Sequence, residues 1–222
     1  KATVLDLEGT LGEHTHVWRE IEEAFGVDRE RARERFRNYQ RGDRGWQEFN
    51  HKRIRDWNRN TQDRSARDVY MEAIERHLQE HGIRPQARDL VREFHSQGFE
   101  TFLASHAPDR YSRRALEKTG VQNHVDTVEI SFTAEGKKVD GINRKESHCK
   151  ADFVRSLQED GYEVWFLGNG RNDVEAAESA DRSFMVENVE DLDYTKLGCH
   201  VFTGDIEEVV KKAGKSFERV KR

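Results

Sequence analysis

Residues 3–12 read Thr-Val-Leu-Asp-Leu-Glu-Gly-Thr-Leu-Gly, and this stretch decides the fold. Its apolar start predicts a buried strand that ends at Asp6, and the Gly-Thr pair after Glu8 predicts a turn. In an open α/β fold, such a strand presents its carboxylate at the carboxyl end of the sheet, where ligands bind. Two acids at i and i+2 suit metal-assisted nucleophilic catalysis, with Asp6 attacking and Glu8 moving a proton. The alternative is an ordinary strand end whose acids face water.

The following segment, residues 14–82, has helical periodicity and almost no strand signal. The apolar spacing predicts four helices, at 14–25, at 29–40, at 46–58, and from Asp63 or Ser65 to about Gly82. Helix 29–40 is rich in Arg and Glu, so we expect it to be largely solvated, with i,i+4 pairs along its surface. We therefore predict that residues 14–82 form a small α-helical cap domain inserted into the chain.

From residue 83 onward, helices and strands alternate. The pattern predicts helices at 85–97, 108–118, 147–159, 172–180 and 205–213, and strands at 99–104, 125–132, 164–167, 183–187 and 199–202. Glu135 and Gly136 predict a hairpin turn. Repeated βα units with short turns predict an α/β core, built from residues 1–13 and 83–222. We expect this core to be a Rossmann-like parallel sheet with helices on both faces.

The composition restricts the partners of the chain. Its 222 residues carry a formal net charge of −5, which argues against a nucleic acid or an anionic membrane as partner. No apolar run approaches the roughly 18 residues that a membrane span needs. Cys149 and Cys199 have neither metal-ligand spacing nor a disulfide framework, so we expect a reducing, cytoplasmic location. We expect a monomer or a homodimer.

Polar side chains with complementary chemistry follow several of the predicted strands. They are Asp6 with Glu8, Ser105, Lys150, and Asn169 with Asp173. Because the carboxyl ends of parallel strands meet at one crevice, we expect these groups to converge. The hydroxyl and the ammonium suit binding of phosphate oxygens, and a metal ion would offset the repulsion between a carboxylate and a phosphate. For Ser105 and Asp173 the alternative is a helix cap, and for Lys150 it is a solvated surface position.

These motifs, taken together and in order, resemble those of haloacid dehalogenase (HAD) superfamily phosphatases, and most closely the phosphoserine phosphatase-like branch. Residues 6–10, Asp-Leu-Glu-Gly-Thr, are similar to the first motif of the family, Asp-x-Asp-Gly-Thr. Residues 102–105, Phe-Leu-Ala-Ser, match the second motif. Lys150 stands where the lysine of the third is expected, with Lys145 as its rival. Residues 168–173, Gly-Asn-Gly-Arg-Asn-Asp, resemble the fourth motif, and a helical cap between motifs one and two is typical of this branch.

The resemblance implies the HAD fold and a Mg²⁺-dependent phosphomonoester hydrolase that acts on a small phosphorylated metabolite, such as phosphoserine. Asp6 would form an aspartyl-phosphate intermediate, and Glu8 would be the general acid and base. The phosphate would be bound by Ser105, His106 and Lys150. The Mg²⁺ ligands would be the Asp6 carboxylate, the main-chain carbonyl of Glu8, Asn169 and Asp173.

Three positions depart from the pattern of the family. Glu8 replaces the usual Asp, which moves the carboxyl group by more than ~1 Å, and such a displacement can cost on the order of 10²-fold in rate. Asn169 replaces a metal-binding Asp, so we expect weaker Mg²⁺ binding. His106 replaces a glycine that is usual in the phosphoserine branch. The changes at Glu8 and Asn169 leave open a catalytically weak HAD-fold protein that binds a phosphate ligand. A phosphotransferase, in which an acceptor other than water takes the phosphoryl group, is a further alternative.

The helix at 46–58 carries the candidates for substrate specificity. In the phosphoserine branch, a basic residue near this place is expected to hold the carboxylate of the substrate, and His51 falls at that place. Arg53 lies two residues on and is the better bidentate partner for a carboxylate. The alternative is a solvated basic face. A zinc site built from His14, His16 and a third group is a further alternative.

Overall fold

A computed structural model of the chain describes residues 1–13, 17–43, 45–61, 64–125, 128–144 and 149–186, together with residues 203, 204, 206, 208 and 211. The strands are β1 (Ala2–Leu5), β2 (Glu100–Ala104), β3 (Asn123–Val125), β4 (Val128–Phe132), β5 (Val139–Arg144), β6 (Val164–Gly168), β7 (Arg182–Val186) and β8 (Thr203–Gly204). The helices are α1 (Val17–Ala24), α2 (Arg29–Gln40), α3 (Trp46–Asn60), α4 (Ala66–Glu80), α5 (Pro85–Ser96), α6 (Asp109–Thr119), α7 (Lys150–Glu159) and α8 (Val174–Ser179).

Six of the strands form one parallel sheet in the order β3-β2-β1-β6-β7-β8. The first strand of the chain therefore lies inside the sheet, between β2 and β6. Side chains alternate between its two faces, so Val4 joins one buried apolar cluster and Leu5 joins the other. Along β6, Phe166 and Leu167 alternate in the same way. A parallel sheet whose two faces are both buried needs helices on both sides, which confirms the predicted fold class.

The segment predicted as one strand, 125–132, forms two strands that belong to different sheets. β3 pairs in parallel with β2 at the edge of the main sheet. β4 pairs antiparallel with β5 and forms a separate two-stranded sheet. The turn of this hairpin contains Gly136 at φ 69°, as the sequence predicted, but β5 itself was not predicted. A continuous run of strand-forming residues does not show where the chain leaves one sheet for another, because that depends on partners distant in sequence.

Most predicted helices lie within a few residues of their expected ends. Asp28 accepts hydrogen bonds from the main-chain N–H groups of Glu30 and Arg31 and so caps α2. Ser65 caps α4, which decides between the two predicted starts. The predicted strand 199–202 and most of the predicted helix 205–213 lie outside the described residues.

The four helices α1–α4, which follow one another between β1 and α5, are called the helical insertion below. The β4–β5 hairpin packs against this insertion. The Asn58 side chain exchanges two hydrogen bonds of 2.8 Å with the main chain of Val139, and the Ser65 hydroxyl donates to the Gly136 carbonyl. The structure thus attaches part of the segment 83–222 to the insertion. The boundaries of a separate cap domain at residues 14 and 82 stay a prediction.

The expectation that helix 29–40 is largely solvated is wrong for its inner face. Arg35 is only 6% exposed, and its guanidinium pairs with Glu22 of α1 and Asp56 of α3. Arg53 of α3 donates to the same Glu22 carboxylate at 2.7 Å. Although burial acts to raise the pKa of Glu22, Arg53 and Arg35 together hold it below its ordinary value. These charges are paired between helices, so a helical-wheel pattern of i,i+4 pairs does not reveal them.

Among the described residues, no helix is both long and apolar enough to cross a bilayer. The two longest, α3 and α4, have 15 residues each and carry many charged side chains.

Candidate active site

Three neighbouring strands of the main sheet place polar residues at one edge. Leu5 of β1 is in register with Leu103 of β2 and with Leu167 of β6. Asp6 follows β1 directly, Ser105 follows β2, and Asn169 follows β6. The parallel register therefore brings these three residues together at the carboxyl ends of the strands, as the sequence predicted.

Asp6 lies at the centre of this edge and is only 4% exposed. Its main-chain N–H continues the sheet ladder by donating to the Leu167 carbonyl at 2.8 Å. The chain then makes a tight turn through Gly9 at φ 77°, a left-handed conformation that glycine adopts without strain. This turn brings the Thr10 hydroxyl back to donate to Asp6 Oδ2 at 3.2 Å. The Thr10 contact fixes the plane of the carboxylate.

Lys150 joins the two acids of the site. It is the first residue of α7, and its Nζ lies 2.5 Å from Asp6 Oδ1 and 2.6 Å from Asp173 Oδ1. Burial acts to lower the pKa of this ammonium, but Asp173 and Asp6 together raise it above its ordinary value. Lys150 is therefore charged in this site. Its rival Lys145 lies outside the described residues.

Asp173 is held by the loop that it closes. Its Oδ2 accepts hydrogen bonds from the main-chain N–H groups of Asn169 and Gly170, both at 2.9 Å. The side chain also lies against Gly168, where a Cβ atom would come within 2.7 Å of Asp173 Oδ2 and Cγ. A residue larger than glycine at position 168 would displace the carboxylate.

If Asp173 belongs to an active site, we expect Gly168→Ala to lower the catalytic efficiency by about 10²-fold, because a displacement of ~1 Å in such a site can have an effect of this size. Gly45→Ala is the matched control, because position 45 has no heavy atom within 4 Å of the added methyl group and no positive φ. Steady-state kinetics of the two variants, with their thermal unfolding, would check this. Equal activity in both would contradict the role given to Gly168.

Glu8 is partly buried, and its Oε1 accepts a hydrogen bond of 3.0 Å from the main-chain N–H of Val17, at the start of α1. Burial is the main cause that raises its pKa to about 7. Burial also raises the pKa of Asp6 to about 6, although Lys150 acts to lower it. Two neighbouring carboxyl groups with different raised pKa values suit different roles in proton transfer.

Ser105 is buried, and its Oγ accepts a hydrogen bond from the Ala107 N–H at 3.1 Å. This contact leaves the hydroxyl hydrogen available to an anion, so the turn and the phosphate-binding roles are compatible. The next residue, His106, uses its carbonyl to accept from the Trp18 indole N–H at 2.9 Å. Trp18 belongs to α1, so the helical insertion reaches the predicted phosphate loop directly.

The two predicted specificity residues lie on different faces of α3. His51 is exposed, whereas Arg53 is buried. Residues i and i+2 of an α-helix are rotated by about 200° from each other around its axis, so these two point to opposite sides. The Arg53 guanidinium lies over the rings of Trp18 and Phe49, at 4.4 and 4.6 Å from their centroids. Of the two, Arg53 is thus the one connected to the site, through Trp18. His14 and His16 lie outside the described residues.

Sequence reasoning missed three positions that shape the site: Thr10, Trp18 and Gly168. Thr10 and Gly168 were quoted as members of motifs, but not as side-chain or packing contacts of Asp6 and Asp173. Trp18 falls inside the predicted helix 14–25, but nothing in the helical pattern assigns it a contact with the site. The signal that could have found it is a tryptophan at the start of the helix that follows the turn after Asp6.

Comparison with known proteins identifies the family. A family model described as haloacid dehalogenase-like hydrolase matches residues 1–181. The chain belongs to the haloacid dehalogenase-like hydrolases. The family predicted from the four motifs is therefore confirmed, and so is the prediction that the protein is a hydrolase. No curated protein matches this hydrolase by sequence.

Solved structures similar to this hydrolase share its fold at low identity. A phosphoserine phosphatase from T. onnurineus has a TM-score of 0.69 and 21% identity, over 96% of this chain and 94% of that one. A phosphoserine phosphatase described as a phospho-aspartyl intermediate analogue has a TM-score of 0.69 and 17% identity, over 96% and 98%. A phosphoserine phosphohydrolase-like protein from Francisella tularensis has a TM-score of 0.70 and 15% identity, over 96% and 99%.

The donor set of this hydrolase fits Mg²⁺. Carboxylate and carbonyl oxygens are the ligands that Mg²⁺ prefers, and Asp6 and Asp173 already converge on one cation, the Lys150 ammonium. The two acids exceed the charge of that single lysine, so the site favours a further positive charge. Asn169 is buried beside them and can offer only a neutral amide oxygen.

Proposed function

We propose that this protein is a Mg²⁺-dependent phosphomonoester hydrolase that acts on a small phosphorylated metabolite through an aspartyl-phosphate intermediate. The observation that carries the proposal is the Asp6 carboxylate, buried at the end of β1 and held between the Lys150 ammonium and the Thr10 hydroxyl. Membership of the haloacid dehalogenase-like hydrolases and a fold similar to that of phosphoserine phosphatases support the proposal.

In the proposed reaction, Asp6 attacks phosphorus while Lys150 and the Ser105 hydroxyl hold the phosphate oxygens. His106 follows Ser105 in the same loop, and its side chain is a further candidate phosphate ligand. Glu8 gives its proton to the leaving alkoxide and then takes one from the water that hydrolyses the aspartyl-phosphate. The Val17 N–H fixes Glu8 Oε1, so the proton resides on Oε2.

Mg²⁺ would be held by the Asp6 carboxylate, the main-chain carbonyl of Glu8, Asn169 and Asp173. When bound, it supplies charge that offsets the repulsion between the carboxylate and the phosphate dianion.

The substrate carries a carboxylate or a similar anion in this proposal, as phosphoserine does. Arg53 is already paired with Glu22 and stacked on Trp18, so its contribution is to hold Trp18 against the His106 carbonyl. His51, on the exposed face of α3, stays a candidate for direct contact with the carboxylate of the substrate. We propose that the protein is cytoplasmic and is a monomer or a homodimer. We also propose that it has neither a nucleic acid nor a membrane as its partner.

The proposal is tested by hydrolysis of an aryl phosphate with Mg²⁺ and with a chelator, followed by a panel of phosphorylated metabolites that includes phosphoserine. We expect release of phosphate only with Mg²⁺. Saturable phosphate binding without turnover at any Mg²⁺ concentration would instead indicate a binding protein. The Glu8 and Asn169 replacements are the reason to consider this outcome. Transfer of the phosphoryl group to added alcohols in preference to water would indicate a phosphotransferase.

The pKa values of the two carboxyl groups predict a bell-shaped pH dependence of kcat/KM. Asp6 must be ionised to attack, so activity falls as the pH drops below its pKa of about 6, or lower once a cation is bound nearby. Glu8 must be protonated to assist the leaving group, so activity falls as the pH rises above about 7. In Glu8→Gln the alkaline limb should disappear. An alkaline limb that survives this substitution would contradict the role of Glu8 as the acid.

A further inference from the structure

We propose that Glu20, His77 and His81 form a second metal site, separate from the proposed Mg²⁺ site, that binds a divalent transition-metal ion such as Zn²⁺. Glu20 lies on α1, His77 lies in the last turn of α4, and His81 caps the carboxyl end of α4 one turn later. One ligand atom from each residue comes within 4.8 Å of the other two. This inference does not depend on the proposed phosphatase function.

The distances are close to those of a metal site. Glu20 Oε1 lies 3.0 Å from His77 Nδ1 and 2.9 Å from His81 Nε2. Ligand atoms around a tetrahedral zinc ion, with bonds of about 2.0–2.2 Å, are roughly 3.3 Å apart. A small outward movement of the side chains would therefore admit the ion. The spacing i, i+4 on a helix places both imidazoles on one face, which is what a shared ion requires.

The chemistry of the donor set selects the ion. Two imidazoles and one carboxylate suit Zn²⁺, Co²⁺, Ni²⁺ and Cu²⁺, whereas Mg²⁺ and Ca²⁺ prefer oxygen ligands only. Three protein ligands leave the fourth tetrahedral position to water or to an exogenous group. The oxygen-rich site around Asp6 and Asp173 has the opposite preference. The same chain thus offers two sites with different metal preferences, so that each can be studied with a metal that the other does not prefer.

The surroundings of the cluster support a bound ion. His77 is 1% exposed, and the side chain of Glu20 is 15% exposed. The second carboxylate oxygen of Glu20 is buried and has no hydrogen-bond partner among the described residues. Such an oxygen costs free energy unless it is satisfied, and an ion that Glu20 binds through both of its carboxylate oxygens would satisfy it. The side chain of His81 is 29% exposed, which provides a path for the ion from solvent.

The position of the cluster gives the ion a structural consequence. The chain enters the helical insertion after Gly12 and leaves it before Ile83, and these two residues pair in an isolated antiparallel bridge. Glu20 lies on α1, the first helix after Gly12, and His81 caps α4 two residues before Ile83. The rings of Tyr111 from α6 and His77 pack in a T-shaped arrangement, with centroids 5.1 Å apart. An ion here would fasten α1 to α4 next to the junction with the sheet.

The test is a titration of the protein with Zn²⁺ and Co²⁺ in excess Mg²⁺, which occupies oxygen-rich sites. We expect one saturable equivalent by calorimetry, a Co²⁺ absorption spectrum typical of a low-coordinate site, and a higher unfolding temperature with Zn²⁺. Glu20→Gln and His81→Ala should each lower the affinity by about 10–100-fold or more. His51→Ala removes an exposed histidine outside the cluster and should leave the affinity unchanged. Circular dichroism would verify that each variant is folded.

The proposal is overturned by any of three results. These are no saturable binding in excess Mg²⁺, equal affinity in wild type and in both cluster variants, or loss of binding in Asp173→Asn with retention in His81→Ala. The last result would place the ion at the carboxyl ends of the strands. X-ray absorption of the Zn²⁺ complex adds a direct readout, because two imidazoles at about 2.0–2.1 Å are required.

Discussion

Asp6→Asn is expected to lower the turnover of an aryl phosphate by on the order of 10³-fold or more, because the amide cannot serve as the nucleophile. The substitution keeps the size of the side chain, and its oxygen can still accept from Lys150 or from Thr10. The loss should therefore appear in kcat, with little change in the folded structure. Single-turnover kinetics would separate the chemical step from substrate binding.

Asp152→Asn is the matched control for Asp6→Asn. Asp152 is an exposed acid on α7 that pairs with Arg155, so its loss should change neither turnover nor Mg²⁺ dependence. If Asp6→Asn kept wild-type turnover with the same Mg²⁺ dependence, Asp6 would not be the nucleophile. If both variants lost activity to the same degree, the effect would be one of net charge rather than of a specific carboxylate.

The strand-end residues of the site could be predicted from sequence because local patterns determine them. A buried strand followed by a turn places Asp6, Ser105 and Asn169 at the carboxyl ends of β1, β2 and β6, whichever helices surround the sheet. Lys150 was more difficult, since it lies in a predicted helix rather than at a strand end, and Lys145 was left open as its rival. The structure shows why its position works: the first residue of α7 directs a long side chain between two acids.

The contacts between distant elements could not be predicted in the same way. Arg53 and Arg35 come from helices whose composition is typical of solvated surfaces, yet both share the buried Glu22. Their burial depends on how α1, α2 and α3 pack, which no local pattern encodes. The pair His77 and His81 has the spacing of metal ligands, but Glu20 lies more than fifty residues earlier. The sequence therefore shows two ligands of the cluster and not the third.

Lys150→Met is expected to destabilise the protein and to remove phosphate binding at the same time. The substitution leaves Asp6 and Asp173 buried without their common cation. Breaking a buried ion pair from one side lowers the free energy of unfolding by about 3–5 kcal/mol. Without the ammonium, the phosphate also loses a charged donor, so kcat/KM should fall by about 10²–10³-fold. Urea unfolding and steady-state kinetics would measure the two effects.

The pH dependence and a second lysine make the Lys150 prediction specific. In the wild type, Lys150 acts to lower the pKa of Asp6, so in Lys150→Met that pKa lies even higher than about 6. The destabilisation is then fully present above that raised pKa and shrinks as the pH falls and Asp6 becomes protonated. Mg²⁺ should restore part of the lost stability, because Asp6 and Asp173 would hold it and it would supply positive charge in place of the missing ammonium. Lys145→Met makes the same chemical change at the rival lysine and should alter neither stability nor kcat/KM. Loss of activity in Lys145→Met with retention in Lys150→Met would assign the phosphate to the other lysine and leave Lys150 as a purely structural counter-ion.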